Sequence, residues 1–249
     1  MSATPEATLR SHLSRLQALV DGSSRIVFFG GAGVSTESGI PDFRSQDGLY
    51  QQRWKYPPEQ IVSHTFFTRR TEEFYEFYKE KMLYLDAKPN AAHIALARLE
   101  KAGKLRSVVT QNIDGLHQAA GSSRVWELHG SVLRNRCMDC GREFDVRAVK
   151  EAQGVPRCGC GGVIKPDVVL YEEGLDQRVI RGAVEDIAQA DLLIIGGTSL
   201  GVYPAAGLID YYRGKELVLI NRSPTPRDRQ ATLLITASIG EVLGGLKVN

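Results

Sequence analysis

The chain has no apolar run near the roughly 18 residues that cross a bilayer as a helix, so no membrane-spanning helix is expected. Residues 1–10 lack a basic start followed by an apolar stretch. No secretory signal is therefore expected, and the cytoplasm is the default location. Charge of one sign is missing too. The formal net charge is +2, with acids and bases interspersed, which argues against a dedicated nucleic-acid surface. Cysteine is scarce: four in 249 residues are too few for a disulfide framework, and their pairing suits metal in a reducing compartment. There is no fixed-period repeat and no low-complexity segment. What is present is a chain with 43% apolar residues, long enough for one large domain or a domain with a smaller insert.

One stretch organises the rest. Arg25-Ile26-Val27-Phe28-Phe29 reads as a buried parallel strand. It breaks into Gly30-Gly31-Ala32-Gly33, where glycine lets the backbone turn sharply and approach a ligand. Ser35, Thr36 and Glu37 then suit a helix start, whose free N–H groups would favour an anion such as a pyrophosphate. The dinucleotide fingerprint is incomplete. Thr36 stands where a third glycine is usual, and no strand ending in an acid follows about 20 residues on. Gly39-Ile40-Pro41-Asp42-Phe43-Arg44 follows instead.

Apolar spacing predicts helices over 5–20, 59–83, 91–101, 179–190 and 240–246. The aromatic residues of 59–83 (Phe66, Phe67, Phe74, Tyr75, Phe77 and Tyr78) read as the core of a helical subdomain. Strands are expected at Leu105–Thr110, Val125–Leu128, Leu192–Ile195, Leu217–Ile220 and Leu233–Ile235. This alternation predicts an α/β fold with a doubly wound, parallel, Rossmann-like sheet. Ligands of such sheets bind beyond the carboxyl ends of the strands. Those ends carry the Gly31 turn, Gln111-Asn112-Ile113-Asp114, His129, Thr198-Ser199 and Asn221, so one site is expected there.

Cys137-Met138-Asp139-Cys140 and Cys158-Gly159-Cys160 form two close pairs. Four thiolates suit a closed tetrahedral zinc site, structural because it leaves no position for substrate water. The one-residue spacer in the second pair is tighter than usual. Residues 132–165 hold few large apolar side chains, so metal is expected to supply much of their stability.

The motifs Gly31-Ala32-Gly33-Val34-Ser35, Gly39–Arg44, Thr110-Gln111-Asn112-Ile113-Asp114-Gly115-Leu116-His117, Glu127-Leu128-His129-Gly130, Pro166–Tyr171 and Gly197-Thr198-Ser199-Leu200, with the cysteine pairs, occur in the order found in the sirtuins. The chain resembles those NAD-dependent protein-lysine deacylases, of bacterial type, over nearly its whole length. The resemblance implies that acetyl passes from lysine to ADP-ribose as nicotinamide leaves. It makes His129 the general base on a ribose hydroxyl, a role that suits an imidazole with a pKa near 6.5. Asn112 and Asp114 would order the nicotinamide side, and Ile113 with Asp114 would line its pocket. Phe43 would cover the reacting ribose carbon. Gly31, Ala32, Gly33, Thr36, Arg44, Gln111, Thr198, Ser199, Asn221 and Ile239 would hold the rest of NAD. Val169, Tyr171 and Val202 would flank an acetyl-lysine peptide added as a strand.

The chain departs from that pattern at Glu172, where glycine is usual; with Glu173 it could favour basic peptides. Family members that remove acidic acyl groups carry Tyr and, three residues on, Arg. Here Tyr75 is followed by Tyr78, so acetyl or longer neutral groups are expected over succinyl. His117 is expected to support the site, and His64 and His93 to be structural. The domains expected are 1–44, 85–131 and 166–249 as a discontinuous NAD-binding unit, 45–84 as a helical part and 132–165 as a zinc module. The partners expected are acetyl-lysine proteins or peptides, with no membrane, no specific nucleic acid and a monomeric chain. The rival readings are a protein ADP-ribosyltransferase using the same cofactor, and a non-catalytic zinc-ribbon interaction module.

Overall fold

A computed structural model describes residues 5–42, 48 and 54–248. Its strands in chain order are β1 (Ile26–Gly30), β2 (Leu105–Thr110), β3 (Val125–Glu127), β4 (Gly130–Cys137), β5 (Glu143–Asp145), β6 (Ile164–Val168), β7 (Leu192–Gly196), β8 (Glu216–Ile220) and β9 (Leu233–Ile235). Six of them make one sheet in the order β3-β2-β1-β7-β8-β9, with every neighbouring pair parallel.

The alternation of side chains along β1 explains its unbroken apolar run. Ile26 and Phe28 join a core with the helices Pro5–Gly22, Ala91–Lys101 and Ile239–Gly244. Val27 and Phe29 join a second core, on the other face, with the helix Gln177–Gln189 and the 3-10 stretch Ala205–Tyr211. A strand covered on both faces has no polar side to show. Each fully buried Phe contributes about 1.5–3 kcal/mol by area. The strand order reverses between β1 and β7, which opens a crevice beyond their carboxyl ends. At the β2–β3 edge, the fully buried carboxylate of Asp186 accepts from Arg106, Arg124 and the Trp126 indole. This fixes the two strands whose tips lead to Asn112, Asp114 and His129.

The glycine turn does not start an α-helix, contrary to expectation. Two 3-10 turns, Ala32–Val34 and Thr36–Ser38, take its place. The Thr36 hydroxyl donates back to the Gly33 carbonyl, and Ser35 points its hydroxyl at Asp114. Such local bonds compete with helix geometry. Gly39 then turns left-handed (φ 82°), and Pro41 bars continuation. The helical pattern expected over 59–83 is divided among three helices: Pro58–Ile61, His64–Arg69 and Thr71–Lys81. Ser63 caps the second by accepting the Phe66 N–H, and Arg70 (φ −139°) breaks the chain before the third.

The cysteine segment is a three-stranded antiparallel sheet in the order β5-β4-β6. It is wider than the 132–165 expected from composition, running from Gly130 to Val168. Its core is shared with the helices. Phe67, Phe74, Tyr75 and Tyr78 pack in one cluster with Val132, Cys137, Val149, Ile164 and Val168. The helices lend the ribbon the apolar surface it lacks. Tyr75 donates its hydroxyl to the Ile164 carbonyl, and Lys79 to the Ala152 and Gly154 carbonyls.

Candidate active site

A cavity of about 1650 Å³ lies beyond the carboxyl ends of β1, β2, β7 and β8. That exceeds the roughly 300–1,000 Å³ of an ordinary small-molecule site and leaves room for a dinucleotide beside a second substrate. Gly31, Ala32, Gly33, Thr36, Gln111, Asn112, Ile113, Asp114, His129, Val169, Tyr171, Thr198, Ser199, Val202, Asn221 and Ile239 all line it. Of the residues expected around the cofactor, Phe43 and Arg44 lie outside the described residues.

Two loops build its floor by close approach. The Gly33 N–H donates to the Gly197 carbonyl at 2.8 Å. A Cβ on Gly33 would stand 2.8 Å from the Gly197 Cα. Gly197 is left-handed (φ 59°), and a Cβ there would meet the Val34 nitrogen at 2.4 Å. The glycines are therefore required first by each other, before any ligand arrives.

His129 follows β3 and is half-buried. Its Nδ1 lies 3.0 Å from the Gln111 carbonyl oxygen. A carbonyl only accepts, so Nδ1 carries the proton and the neutral ring keeps its Nε2 lone pair. Burial pushes this imidazole below its ordinary pKa, and the Gln111 carbonyl partly offsets the shift. The ring is thus held neutral, as a base requires. Gln111 also donates through Nε2 to the Thr198 hydroxyl at 3.0 Å, joining the β2 tip to the β7 tip.

Ser35, expected only at a helix start and within the glycine motif, is the hub of the site. It is buried, donates to Asp114 Oδ2 at 2.7 Å and accepts from Asn112 Nδ2 at 3.0 Å. Asp114 Oδ1 accepts the Leu116 N–H. One hydroxyl therefore fixes the rotamers of both polar residues beside His129. The signal available in the sequence was its place directly after the glycine turn. Asn221 lines the cavity while its amide donates to the Ser223 carbonyl, shaping the turn after β8.

Behind Asp114 lie two buried imidazoles, His93 and His117, with ring centroids 4.7 Å apart. Neither nitrogen of His117 has a hydrogen-bond partner among the described residues. Burial, and then the neighbouring His93, push its pKa to about 3. The unfolded ring takes a proton as pH falls through about 6.5, whereas the folded ring does so only near 3. Stability is therefore complete above the unfolded value and is lost as pH falls between the two. The expected loss is about 1.4 kcal/mol per pH unit, or about 2 kcal/mol at pH 5. Denaturant titrations at pH 7 and 5 check this: His117→Leu should lose that much less than the parent, and equal losses would refute it.

Val169 and Tyr171 already donate their backbone N–H groups to the His129 and Val62 carbonyls. The next residue, Glu172, is left-handed (φ 75°), which explains why glycine suits this position. Its carboxylate accepts the Thr65 N–H at 2.8 Å. Glu173 pairs with His64 and Lys165. Both carboxylates tie the helical segment to this edge, so the geometry gives no support to a preference for basic peptides. Tyr75 and Tyr78 do not line the cavity; they are buried in the aromatic core.

The four cysteine sulfurs lie within 4.8 Å of one another. Cys137 and Cys160 are 3.5 Å apart, and Cys140 and Cys158 3.6 Å. A tetrahedron of 2.3 Å zinc–sulfur bonds has edges of about 3.8 Å. The donor set fits zinc, and the one-residue spacer between Cys158 and Cys160 does not prevent it. The Cys140 backbone N–H leads the shift of the Cys137 thiol to about 7, which favours the thiolate.

Comparison with known proteins agrees with this geometry. The Sir2 family model matches residues 31–204. A protein of Clostridium perfringens (strain 13 / Type A) named NAD-dependent protein deacetylase is 62% identical over 236 residues, covering 93% of this chain and 97% of its own. A Sir2 structure with deacetylated p53 peptide and 3'-O-acetyl ADP ribose superposes with a TM-score of 0.86 at 40% identity, covering 93% and 95% of the two chains. A Sir2 structure with p53 peptide and NAD+ does so at 0.83 and 41%, with the same coverage.

Proposed function

The chain belongs to the Sir2 family, and from that premise we infer that it is an NAD-dependent protein-lysine deacetylase, which moves acetyl from lysine to ADP-ribose and releases nicotinamide. The observation that carries this reading is the His129 tautomer. With Nδ1–H fixed on the Gln111 carbonyl, Nε2 is left to accept a proton within the cleft. The Gln111 carbonyl then faces the ring as it becomes positive and stabilises it there.

NAD, when bound, supplies the ribose carbon that accepts the acyl oxygen. The chain's own residues bind and orient. Ser35 holds Asn112 and Asp114 toward the nicotinamide side, where Ile113 adds an apolar wall. Gly31, Ala32, Gly33, Thr36, Gln111, Thr198, Ser199, Asn221 and Ile239 take the phosphates and riboses. The peptide adds along the edge formed by Val169, Leu170, Tyr171 and Glu172, with Val202 opposite. The Glu172 N–H, which makes no hydrogen bond among the described residues, suits strand addition there. Phe43 and Arg44 remain assigned to the ribose and phosphates by resemblance. The domain division we propose is 1–44, 85–131 and 166–249 around the large sheet, against 45–84 with 132–165, and the paired strands Gly130–Cys137 and Ile164–Val168 cross its two boundaries. Among the described residues no helix is long and apolar enough to cross a membrane.

The test is to mix the protein with NAD and an acetyl-lysine peptide and follow both products. Nicotinamide and free-lysine peptide should form one for one. NAD loss with ADP-ribose attached to protein, and no deacylated peptide, would favour the ADP-ribosyltransferase reading.

A further inference from the structure

Glu37 reaches from the glycine turn to a helix 203 residues later in the chain. Its Oε2 accepts the Gly240 N–H at 2.7 Å. Among the described residues the helix Ile239–Gly244 has no other side-chain cap, because Ser238 at its N-cap makes no capping bond. The first N–H groups of a helix need an acceptor from outside it. A Cβ on Gly240 would stand 2.0 Å from the same carboxylate oxygen. Glycine at 240 and Glu at 37 are thus fitted to each other.

The contact joins two walls of the cleft. Glu37 leaves the turn Thr36–Ser38, beside Thr36. Ala237, Ser238 and Ile239 line the part of the cavity over β8 and β9, with Asn221. Ile239 is also wedged on the end of β7, where a Cβ on Gly196 would meet its Cδ1 at 2.4 Å. On its other side the turn is held by Asn90, whose amide donates to the Val34 carbonyl and the Ser38 hydroxyl.

We propose that Glu37 is a positioning residue for the nucleotide half of the cleft, holding the wall of residues 237–239 at a fixed distance from the turn that carries Thr36. The proposal rests on the NAD-dependent reading above. The carboxylate is engaged by the protein's own backbone, so its effect is on how far the slot is preformed before the dinucleotide enters.

Steady-state kinetics with varied NAD and varied acetyl-lysine peptide test it. Glu37→Ala should raise the KM for NAD about five- to tenfold, the range of a lost helix cap. The kcat at saturating NAD and the KM for peptide should stay within about twofold, a split that general loss of fold would not give. Glu37→Gln keeps an acceptor oxygen and should recover most of the NAD affinity. Gly240→Ala should raise the NAD KM in the parent and add under about twofold to Glu37→Ala, since the two act through one contact. An unchanged NAD KM in Glu37→Ala overturns the proposal. So does a Gly240→Ala effect as large without Glu37 as with it. Should Glu37→Ala fail to fold, Gly240→Ala in the parent decides the matter: a raised NAD KM supports the proposal and an unchanged one overturns it. A parent protein that does not couple NAD to deacylation overturns the deacetylase reading instead.

Discussion

His129→Ala lowers kcat/KM for acetyl-lysine peptide by about 10²–10⁴-fold, the range for removal of a positioned general base. The melting curve stays close to the parent's, because the ring is half-buried at a strand tip and takes no part in either core of the large sheet. The lost contact is a single bond to the Gln111 carbonyl, which borders the cavity and can turn to water. A second consequence concerns pH. As the proposed base, His129 works only when neutral, and burial holds its pKa below the ordinary 6.5. The acid limb of kcat/KM in the parent therefore has its midpoint below about pH 6.5. Rates measured from pH 5 to 8, with circular dichroism on the variant, check both statements. An alanine variant with parental activity would remove His129 from the mechanism.

Stripping the metal has the other large effect. The four sulfurs are held 3.5–3.6 Å apart in pairs, and thiolates so close repel one another unless a cation binds them. Structural zinc contributes about 10–16 kcal/mol to folding in small peptides, against about 5–15 kcal/mol for the net stability of a whole domain. Even a fraction of that is decisive for the β4–β6 sheet. The shared core also spreads the damage, because Cys137 and Cys158 pack in the same cluster as Phe67 and Tyr75. Metal analysis should find one zinc per chain. Prolonged chelation, or Cys140→Ser, should release it, abolish deacetylation and unfold the smaller lobe. The large sheet should keep its own transition in calorimetry. Full activity in a zinc-free chain would contradict this.

The strands of the large sheet were legible because burial on both faces demands apolar residues at every position, as in Ile26–Phe29 and Leu192–Ile195. Their polar tips were legible for the same reason: Asn112, Asp114 and His129 stand where an apolar run ends. Ser35, Thr36 and Glu37 suggest a helix start because Ser35 and Thr36 are good cap residues in the abstract. Here their hydroxyls go to Asp114 and Gly33, partners that no local pattern reveals. The break at Arg70 was hidden because helical apolar spacing continues on both sides of it. The ribbon's edges were hidden as well: β4 bears a register shift between Ser131 and Asn135, and Arg134 and Arg136 point outward. Contacts between distant segments, such as Gly33 on Gly197, had no signature beyond glycine itself.

The most direct test of the account is the identity of the nucleotide made when the protein turns over NAD with a peptide carrying isotopically labelled acetyl-lysine. The account predicts that mass spectrometry finds the label on ADP-ribose, in amounts equal to the nicotinamide released. Label found only as free acetate, with NAD intact, would contradict it.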